Sequence, residues 1–176
     1  IWVDPDAITD DYIINVNEAA AAARVRIAYV TSDISFVADT TTGTVTDLNP
    51  VVGQMDLITM TRSGATVTLY VNGVPSTTTI SDSGAITTTC ELFLGADADT
   101  GCNAALGNYF DGILDEFRIS NTARSADYIN ASYRNEINAF STIGVEQDQN
   151  FDSSDLQSSG DDWCADASGI TCDSNW

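Results

Sequence analysis

The prediction of the fold starts from the stretch Tyr109-Phe-Asp-Gly-Ile-Leu-Asp-Glu-Phe-Arg-Ile-Ser120. Its apolar and polar residues alternate, which predicts a β-strand with one apolar face, entered through a glycine. In this alternation Ile113, Phe117 and Ile119 share the apolar face. Asp115 falls on the same face, where a carboxylate needs hydrogen-bond donors, a cation or water. Both a hydrogen-bonded structural role and ligation of a metal fit this residue.

The composition of the chain excludes several classes of function. The 176 residues suit one domain with a sizeable core, and the net charge is −20, with six arginines and no histidine or lysine. Nucleic acids and anionic membrane surfaces both select basic proteins, so neither is an expected partner. An acidic surface attracts divalent cations instead. A protein from a saline or cation-rich setting would carry the same charge without any specific acidic site.

Four cysteines predict two disulfides and an oxidising compartment. Cys90, Cys102, Cys164 and Cys172 fall as two local pairs, and no Cys-x-x-Cys or histidine is present to build a zinc site. Pairing of neighbours, Cys90 with Cys102 and Cys164 with Cys172, is the simplest arrangement, although four cysteines allow three connectivities. No stretch approaches the length of a membrane span, and no signal peptide is visible.

Most of the chain has the pattern of short strands. Residues 55–62, 66–71 and 74–80 predict a meander, because Asn72-Gly73 is a strong hairpin signal. Residues 18–23 form an alanine-rich run that suits either a short helix or an approach to a strand. The other strands are predicted at 1–3, 12–16, 25–30, 34–38, 40–46, 91–95 and 141–145.

One short helix is predicted near residues 125–135. Ser125 is a good N-cap, and Asp127 suits the first turn of a helix. Ala126, Ile129 and Tyr133 recur at helical spacing, so we expect them to face the core. The sequon at Asn130 is not expected to be glycosylated, since it lies within the helix.

Two acidic loops carry the oxygen-rich pattern of calcium sites. The first offers Asp97, Asp99 and Asn103, but it fails the EF-hand spacing, so a polar turn held by Cys90–Cys102 is the alternative. The second loop alternates oxygen ligands but lacks the following glycine. Its candidate ligands are Asp148, Asn150 and Asp152.

The order of the motifs resembles that of one known family. The segments 67–74, 92–96, 109–120 and 120–129 follow one another as in the laminin-G-like, concanavalin A-like sandwich domains of prokaryotic surface proteins. The resemblance covers about residues 1–146 and implies an all-β fold. The expected architecture is a jelly-roll of two antiparallel sheets with one short helix.

The chain departs from this family at both ends. In the family, a strand like Ile1–Val3 follows roughly forty upstream residues, so Ile1 is read as a mature N-terminus or as an internal point of a longer chain. A sandwich without those strands has an open edge, which is a template for pairing. The parent chain, the C-terminal extension or a neighbouring subunit could fill this edge. Residues 147–176 form an acidic extension with aromatics and one cysteine pair, which we expect to be pinned to the domain or to a neighbour.

The sequence does not support catalysis. Glycosidases with this sandwich use two carboxylates about 5 Å apart on one strand. Asp115 and Glu116 are adjacent and therefore point to opposite faces. None of the five glutamates begins the Glu-x-Asp-x-Glu pattern of those enzymes, and no histidine or lysine is available for a triad or a Schiff base.

Two classes of function remain. The first is an extracellular structural or adhesive surface protein, including a filament-type subunit that forms a homo-oligomer or polymer by completing its neighbour's sheet. The second is a calcium-assisted carbohydrate-binding module. Sugar binding would use exposed aromatic rings, and the candidates are Tyr70, Tyr109 and Trp163.

Overall fold

A computed structural model of the chain describes residues 1–18, 21–86, 90–98 and 106–137. The chain divides into two units, Ile1–Phe140 and Ser141–Trp176. All described residues belong to the first unit, which is the subject of this section. The predicted domain boundary at residue 146, the strand at 141–145 and the C-terminal extension lie outside the described residues and stay predictions.

The described residues form twelve strands and one helix. They are, in chain order, β1 (Trp2–Pro5), β2 (Tyr12–Glu18), β3 (Ala21–Val30), β4 (Asp33–Ala38), β5 (Thr41–Val45), β6 (Asp56–Ser63), β7 (Thr66–Val71), β8 (Val74–Ser81), β9 (Leu92–Leu94), β10 (Asp97–Ala98), β11 (Leu106–Gly107), β12 (Gly112–Asp115) and α1 (Ala126–Glu136).

Two antiparallel five-stranded sheets make up the sandwich. The first sheet has the order β12-β1-β6-β7-β8, and the second has the order β5-β4-β3-β2-β9. A small hairpin of β10 and β11 stands beside them. The predicted fold class, an all-β sandwich with one short helix, is therefore confirmed.

The core lies between the inner faces of the two sheets. Alternation along each strand sends every second side chain inward, as in Val67 and Leu69 of β7 and Ile34 and Phe36 of β4, all of which are fully buried. The predicted meander is confirmed, and its Asn72-Gly73 turn has positive φ at both residues. A Cβ on Gly73 would also lie 2.8 Å from the Cα of Asn130, so the turn packs directly against α1.

Two carboxylates tie the sheets together along one side of the sandwich. Asp47, just after β5, accepts hydrogen bonds from the Ser76 hydroxyl at 2.8 Å and the Thr77 N–H at 2.7 Å, both in β8. Asp82, just after β8, accepts from the Thr41 hydroxyl at 2.8 Å at the start of β5. These two pairs close the β5–β8 side, which leaves β9 and β12 as the outer strands of the opposite side.

The helix begins where the sequence predicts. Ser125 is the N-cap, and its hydroxyl accepts from the Tyr128 N–H at 3.2 Å. Ile129 is buried, and the ring of Tyr133 lies 5.8 Å from the ring of Trp2 in β1. Ala126 is exposed, so its predicted place on the core-facing side of the helix is wrong.

Two further expectations about elements are corrected. The alternative of a helix at residues 18–23 is wrong, because β2 runs to Glu18 and β3 begins at Ala21. The first strand does not break at Asp4, since β1 continues to Pro5. A proline is tolerated there because it stands at the end of a strand, where its missing N–H costs no ladder bond.

The strand that organises the sequence is shorter than predicted and has the opposite face inward. β12 ends at Asp115, and its register places Leu114 opposite the buried Val3. Leu114 therefore packs against the core, whereas Ile113 is 56% exposed. Glu116 has φ of 52°, which breaks the alternation, so that Phe117 turns back to the core and Ile119 is 74% exposed.

Candidate binding site

A large apolar cleft opens on the side of the sandwich that Asp47 and Asp82 do not close. Its volume is about 730 Å³, and it is lined by inner-face side chains of both sheets, by the segment 116–120 and by one side of α1. Among the lining residues are Ile14 and Ile27 from the second sheet and Met60 from the first. Cavities of this size in proteins hold small ligands or the side chains of a docked segment.

The cleft follows a stretch of β6 that lacks a neighbour on one side. β6 pairs with β7 from Ile58 to Ser63, but its ladder with β1 covers Asp56 and Leu57 alone. The side of β6 from Thr59 to Ser63 therefore has no ladder partner among the described residues, and we call it the β6 slot. In the antiparallel register of β1 and β6, this slot lies directly beyond Ile1.

Hydrogen bonds at the start of β6 show which backbone groups face the slot. The Ile58 N–H donates to the Ile1 carbonyl at 2.9 Å, on the side where β1 lies. The Leu57 carbonyl instead accepts from the Asn72 N–H at 2.9 Å, on the side where β7 lies. Because backbone groups alternate along a strand, the N–H and C=O groups of Met60 and Arg62 point into the slot.

Side chains of both charges stand at the mouth of the cleft. Arg118 forms ion pairs with Glu116 and, at 2.9 Å, with Glu136 of α1. The hydrogen bond that Arg118 donates to Glu116 and the charge of Glu136 raise the pKa of Arg118 above its usual value. Glu136 also accepts a hydrogen bond from the indole N–H of Trp2, so it connects the helix to β1. The charges of Glu116, Arg118 and Glu136 sum to −1, so this group does not attract a free anion.

Asp115 does not face the core, contrary to the sequence analysis. Its side chain is exposed, and its Oδ1 accepts the Glu116 N–H at 2.7 Å. A solvated carboxylate that closes a local turn needs no cation to offset burial, so the argument for metal ligation by Asp115 no longer holds.

The remaining calcium candidates are only partly described. Asp97 accepts from the Asn15 side-chain amide at 2.5 Å and from the Asn108 amide at 3.5 Å, so hydrogen-bond donors already engage its carboxylate. Asp99 and Asn103 lie outside the described residues, as do Asp148, Asn150 and Asp152. Within the described part of the chain, no group of three or more acidic or cysteine side chains could hold a metal ion.

A polar cluster lies on the outer face of the second sheet. The Arg26 guanidinium donates to the Tyr12 hydroxyl at 3.2 Å and to the Ser35 hydroxyl at 3.3 Å. Asn15, directly opposite Arg26 in the β2–β3 ladder, is fully buried. Among the described residues, the Arg26 Nε and the Asn15 Oδ1 have no hydrogen-bond partner. Both atoms are covered by protein, so they are not open to a ligand.

The three aromatic candidates for sugar stacking differ in exposure. Tyr70 is 7% exposed, so its ring face is not available and this expectation is wrong. Tyr109 is 62% exposed, as a stacking platform would require. Trp163 lies outside the described residues. Alternation along β7 puts Tyr70 on the face opposite the core residues Val67 and Leu69, but it does not indicate that neighbouring residues cover the ring.

The cysteine predictions are tested in one position. Cys90 forms a disulfide. Cys102, Cys164 and Cys172 lie outside the described residues, so the pairing of Cys90 with Cys102 stays a prediction.

The fold and these sites can be compared with known proteins. The sequence profile of the concanavalin A-like lectin/glucanases superfamily, in its Laminin_G_3 form, matches residues 1–130. The chain belongs to this superfamily. The resemblance drawn from the sequence motifs is thus confirmed. Because the superfamily includes both lectins and glucanases, membership alone leaves the activity open.

Two solved structures are similar to this member of the superfamily. A protein of Bacteroides ovatus ATCC 8483 that is described as carbohydrate-binding has a TM-score of 0.57 and 14% identity, covering 73% of this chain and 38% of that one. An S-layer domain-containing protein of Clostridium thermocellum ATCC 27405 (residues 221–444) has a TM-score of 0.42 and 22% identity, covering 76% and 67%. The first similarity supports the fold alone. No curated protein matches the chain.

The helix content of the described residues can be compared with the length that a membrane span requires. Their single helix, α1, has 11 residues, and no helix in the described part of the chain is long and apolar enough to cross a membrane.

Proposed function

We propose that this domain is a non-catalytic structural or adhesive component of an extracellular surface, and that it assembles into filaments with further copies of the chain by strand exchange. The observation that carries the proposal is the apolar cleft between the two sheets. Ile119 lines this cleft and is 74% exposed. An exposed apolar surface of this kind is characteristic of a site that binds another polypeptide.

The chemistry of the cleft favours a strand over a small ligand. A strand of a second copy would bury the apolar lining and bring its own backbone hydrogen-bonding groups to the edge of the sheet. The charges of Glu116, Arg118 and Glu136 sum to −1, so they do not select an anionic headgroup.

The carboxylates of Asp115 and Glu116 support the proposal that the domain is non-catalytic. Asp115 accepts a hydrogen bond from the Glu116 N–H, and Glu116 is paired with Arg118. Both side chains are exposed to water, whereas a glycosidase holds its general acid in a shielded site.

The test is the molar mass of the purified protein by light scattering over a wide range of concentration. Assembly predicts a mass that rises in steps of 18.7 kDa as the concentration increases. A mass of 18.7 kDa at every concentration would contradict the proposal. An Ile119→Asp variant, which places a charge at the open side, is expected to remain smaller than the wild type.

A second candidate function is carbohydrate binding, which the exposed ring of Tyr109 favours, because lectins stack such rings on sugars. Calcium held at Asp97, together with Asp99 and Asn103, would assist binding. Tyr109→Ala should then abolish signals on a glycan array, and a chelator should lower the signals and also lower the melting temperature by several degrees. An array without any signal in calcium would reject this candidate.

A further inference from the structure

Arg26 is a cation without a carboxylate partner in a strongly acidic chain. Ile27 and Tyr29 of the same strand lie in the core, so alternation turns Arg26 to the outer face of the second sheet. Among the described residues no carboxylate forms an ion pair with it, although the chain has 26 acidic residues and only six arginines. We propose that its guanidinium binds the carboxylate of an acidic sugar, such as a hexuronic acid. The inference rests on the second candidate function, carbohydrate binding, and names its ligand class.

Two hydroxyl groups hold the guanidinium in place. Its Nη1 donates to the Tyr12 hydroxyl at 3.2 Å, and its Nη2 donates to the Ser35 hydroxyl at 3.3 Å. Its Cζ lies 5.4 Å from the centre of the Tyr12 ring. Both partners are neutral, so they orient the guanidinium and leave its charge uncompensated. A group that is already oriented loses less conformational entropy when a ligand binds.

The terminal nitrogens of Arg26 are the donors that remain for a ligand. Its Nε is covered by protein, whereas the residue as a whole is partly exposed. Each terminal nitrogen carries two hydrogens, and one hydroxyl partner on each leaves further N–H donors. Charge-assisted hydrogen bonds from a guanidinium to a carboxylate are stronger than those between neutral groups. A neutral sugar would accept the same donors without offsetting the charge.

The exposed ring of Tyr109 belongs to the same region of the surface. The Tyr12 N–H donates to the Asn108 carbonyl at 3.2 Å, and Tyr109 follows directly in the chain. The Cα atoms of Tyr12 and Tyr109 therefore lie within roughly 10 Å of each other, a span that a short oligosaccharide bridges. On the other side of the arginine, the exposed Thr44 stands opposite Ser35 in the β4–β5 ladder and offers a hydroxyl.

The net charge of the chain restricts the ligand further. A chain of charge −20 repels a polyanion as a whole, so long-range attraction does not bring an acidic ligand to this surface. Selection of an acid therefore depends on close contact with Arg26. This favours a sugar with a single terminal carboxylate over a densely charged polymer.

The experiment compares an acidic ligand with a neutral ligand of the same shape. The probe is an array of oligosaccharides that end in a hexuronic acid, each printed beside its methyl ester, with calcium and about 0.15 M sodium chloride to screen the charge of the chain. The wild type should bind the acids about tenfold or more tightly than the esters. Arg26→Gln should bind both forms as weakly as the wild type binds the ester. Arg124→Gln removes the same charge from an exposed position beside α1 and should keep the wild-type preference.

A second variant tests the contact without removing Arg26. Thr44→Glu brings a competing carboxylate beside Ser35 and the guanidinium, so it should lose the preference for acids and keep the binding of esters. Thr79→Glu adds the same charge at an exposed position of the first sheet and is its control. Circular dichroism identifies the variants that fold, and Thr44→Glu decides if Arg26→Gln does not.

Failure of this inference and failure of the carbohydrate candidate give different results. A wild type that binds acids and esters equally would overturn the role of Arg26 and leave carbohydrate binding standing. A preference for acids that survives in the folded variants at positions 26 and 44 would also overturn it, since calcium bridging between carboxylates would then explain the preference. Absence of any signal, from acids, esters or neutral glycans, would reject the second candidate function and this inference with it.

Discussion

At the scale of single residues, Gly112 is the position where the backbone has the least freedom. It enters β12 with φ of 146°, and a Cβ there would lie 2.2 Å from the Asp4 carbonyl oxygen and 2.9 Å from the Phe110 ring. The glycine that the sequence analysis placed at the entrance of this strand is thus required both by its backbone angle and by the closeness of β1.

Replacing Gly112 by alanine is therefore expected to destabilise the domain strongly. Strain at this φ and the clash with backbone atoms should together cost about 3 kcal/mol of the free energy of unfolding, measured in urea. Gly64→Ala is the matched control, because Gly64 also has positive φ, 60°, but no atom lies within 4 Å of its Cβ position. It should lose about 1 kcal/mol. Equal losses in the two variants would show that the approach of β1 is not the cause.

Asp47 gives the fold a defined dependence on pH. Hydrogen bonds from the Thr77 N–H and from the Ser76 and Thr77 hydroxyls lower the pKa of this carboxyl from 3.8 to about 2. Since the folded-state pKa lies below the unfolded value, the ionised form stabilises the fold above pH 3.8, and this stabilisation is lost as the pH falls toward 2.

Asp47→Asn should consequently melt at a lower temperature than the wild type at pH 6, with a difference that shrinks as the pH falls from about 4 to 2. The measurement is the melting temperature as a function of pH. Asp10→Asn, which changes an exposed aspartate in a loop, is the control and should follow the wild type. A difference that stays constant across this pH window would rule out the lowered pKa as its source.

At the scale of elements, β12 and its neighbours show which features sequence patterns predict correctly and which they do not. The glycine entry, the meander and the N-cap at Ser125 were all predictable, because each depends on local turn or capping chemistry. The inward face of β12 was not, because Ile113 and Leu114 are both apolar and the choice depends on the register with β1. That register pairs Leu114 with Val3, and a one-residue difference in register reverses the faces.

The corrected assignment of β12 can be tested with two neighbouring substitutions. Leu114→Asp should lower the free energy of unfolding by about 2 kcal/mol, because it places a carboxylate against the core. Ile113→Asp should change it by less than about 0.5 kcal/mol, because that side chain is exposed. Urea unfolding at low protein concentration is the measurement. A larger loss for Ile113→Asp than for Leu114→Asp would mean that Ile113 faces the core, as simple alternation predicts.

The residues of the candidate sites could be predicted from the sequence to different extents. Tyr109 was named because sugar binding uses aromatic rings, and its exposure is visible only in the structure. The apolar cleft was missed, because residues of both sheets that lie far apart in the sequence line it. The meeting of Asn15 with Arg26 was missed, because it depends on the register of the β2–β3 ladder, which contains a bulge between Tyr12 and Ile14. Register and packing between the sheets decide these features, and local sequence patterns do not show either.

At the scale of the whole molecule, the sandwich is asymmetric. One side is held by Asp47 and Asp82, which connect β5 and β8 across the two sheets. The other side carries the cleft, which Ile119 lines with an exposed side chain. The proposed assembly would bury this apolar surface and leave the polar contacts of Asp47 and Asp82 unchanged.

The net charge of −20 adds a condition on that assembly. Copies of the chain repel each other over distances that salt shortens, to a Debye length of about 8 Å at 0.15 M ionic strength. The proposed contact itself is apolar and backbone-paired, so salt should weaken the repulsion without weakening the contact. The assembled fraction, measured by sedimentation velocity, should therefore rise as sodium chloride increases from about 0.01 M to 0.15 M and above. A fraction that falls with salt would mean that ion pairs between copies, such as those available to Arg118 and Arg124, hold the assembly instead of the apolar strand. Sodium sulfate at matched ionic strength is the control, because it also strengthens apolar burial and should raise the assembled fraction further.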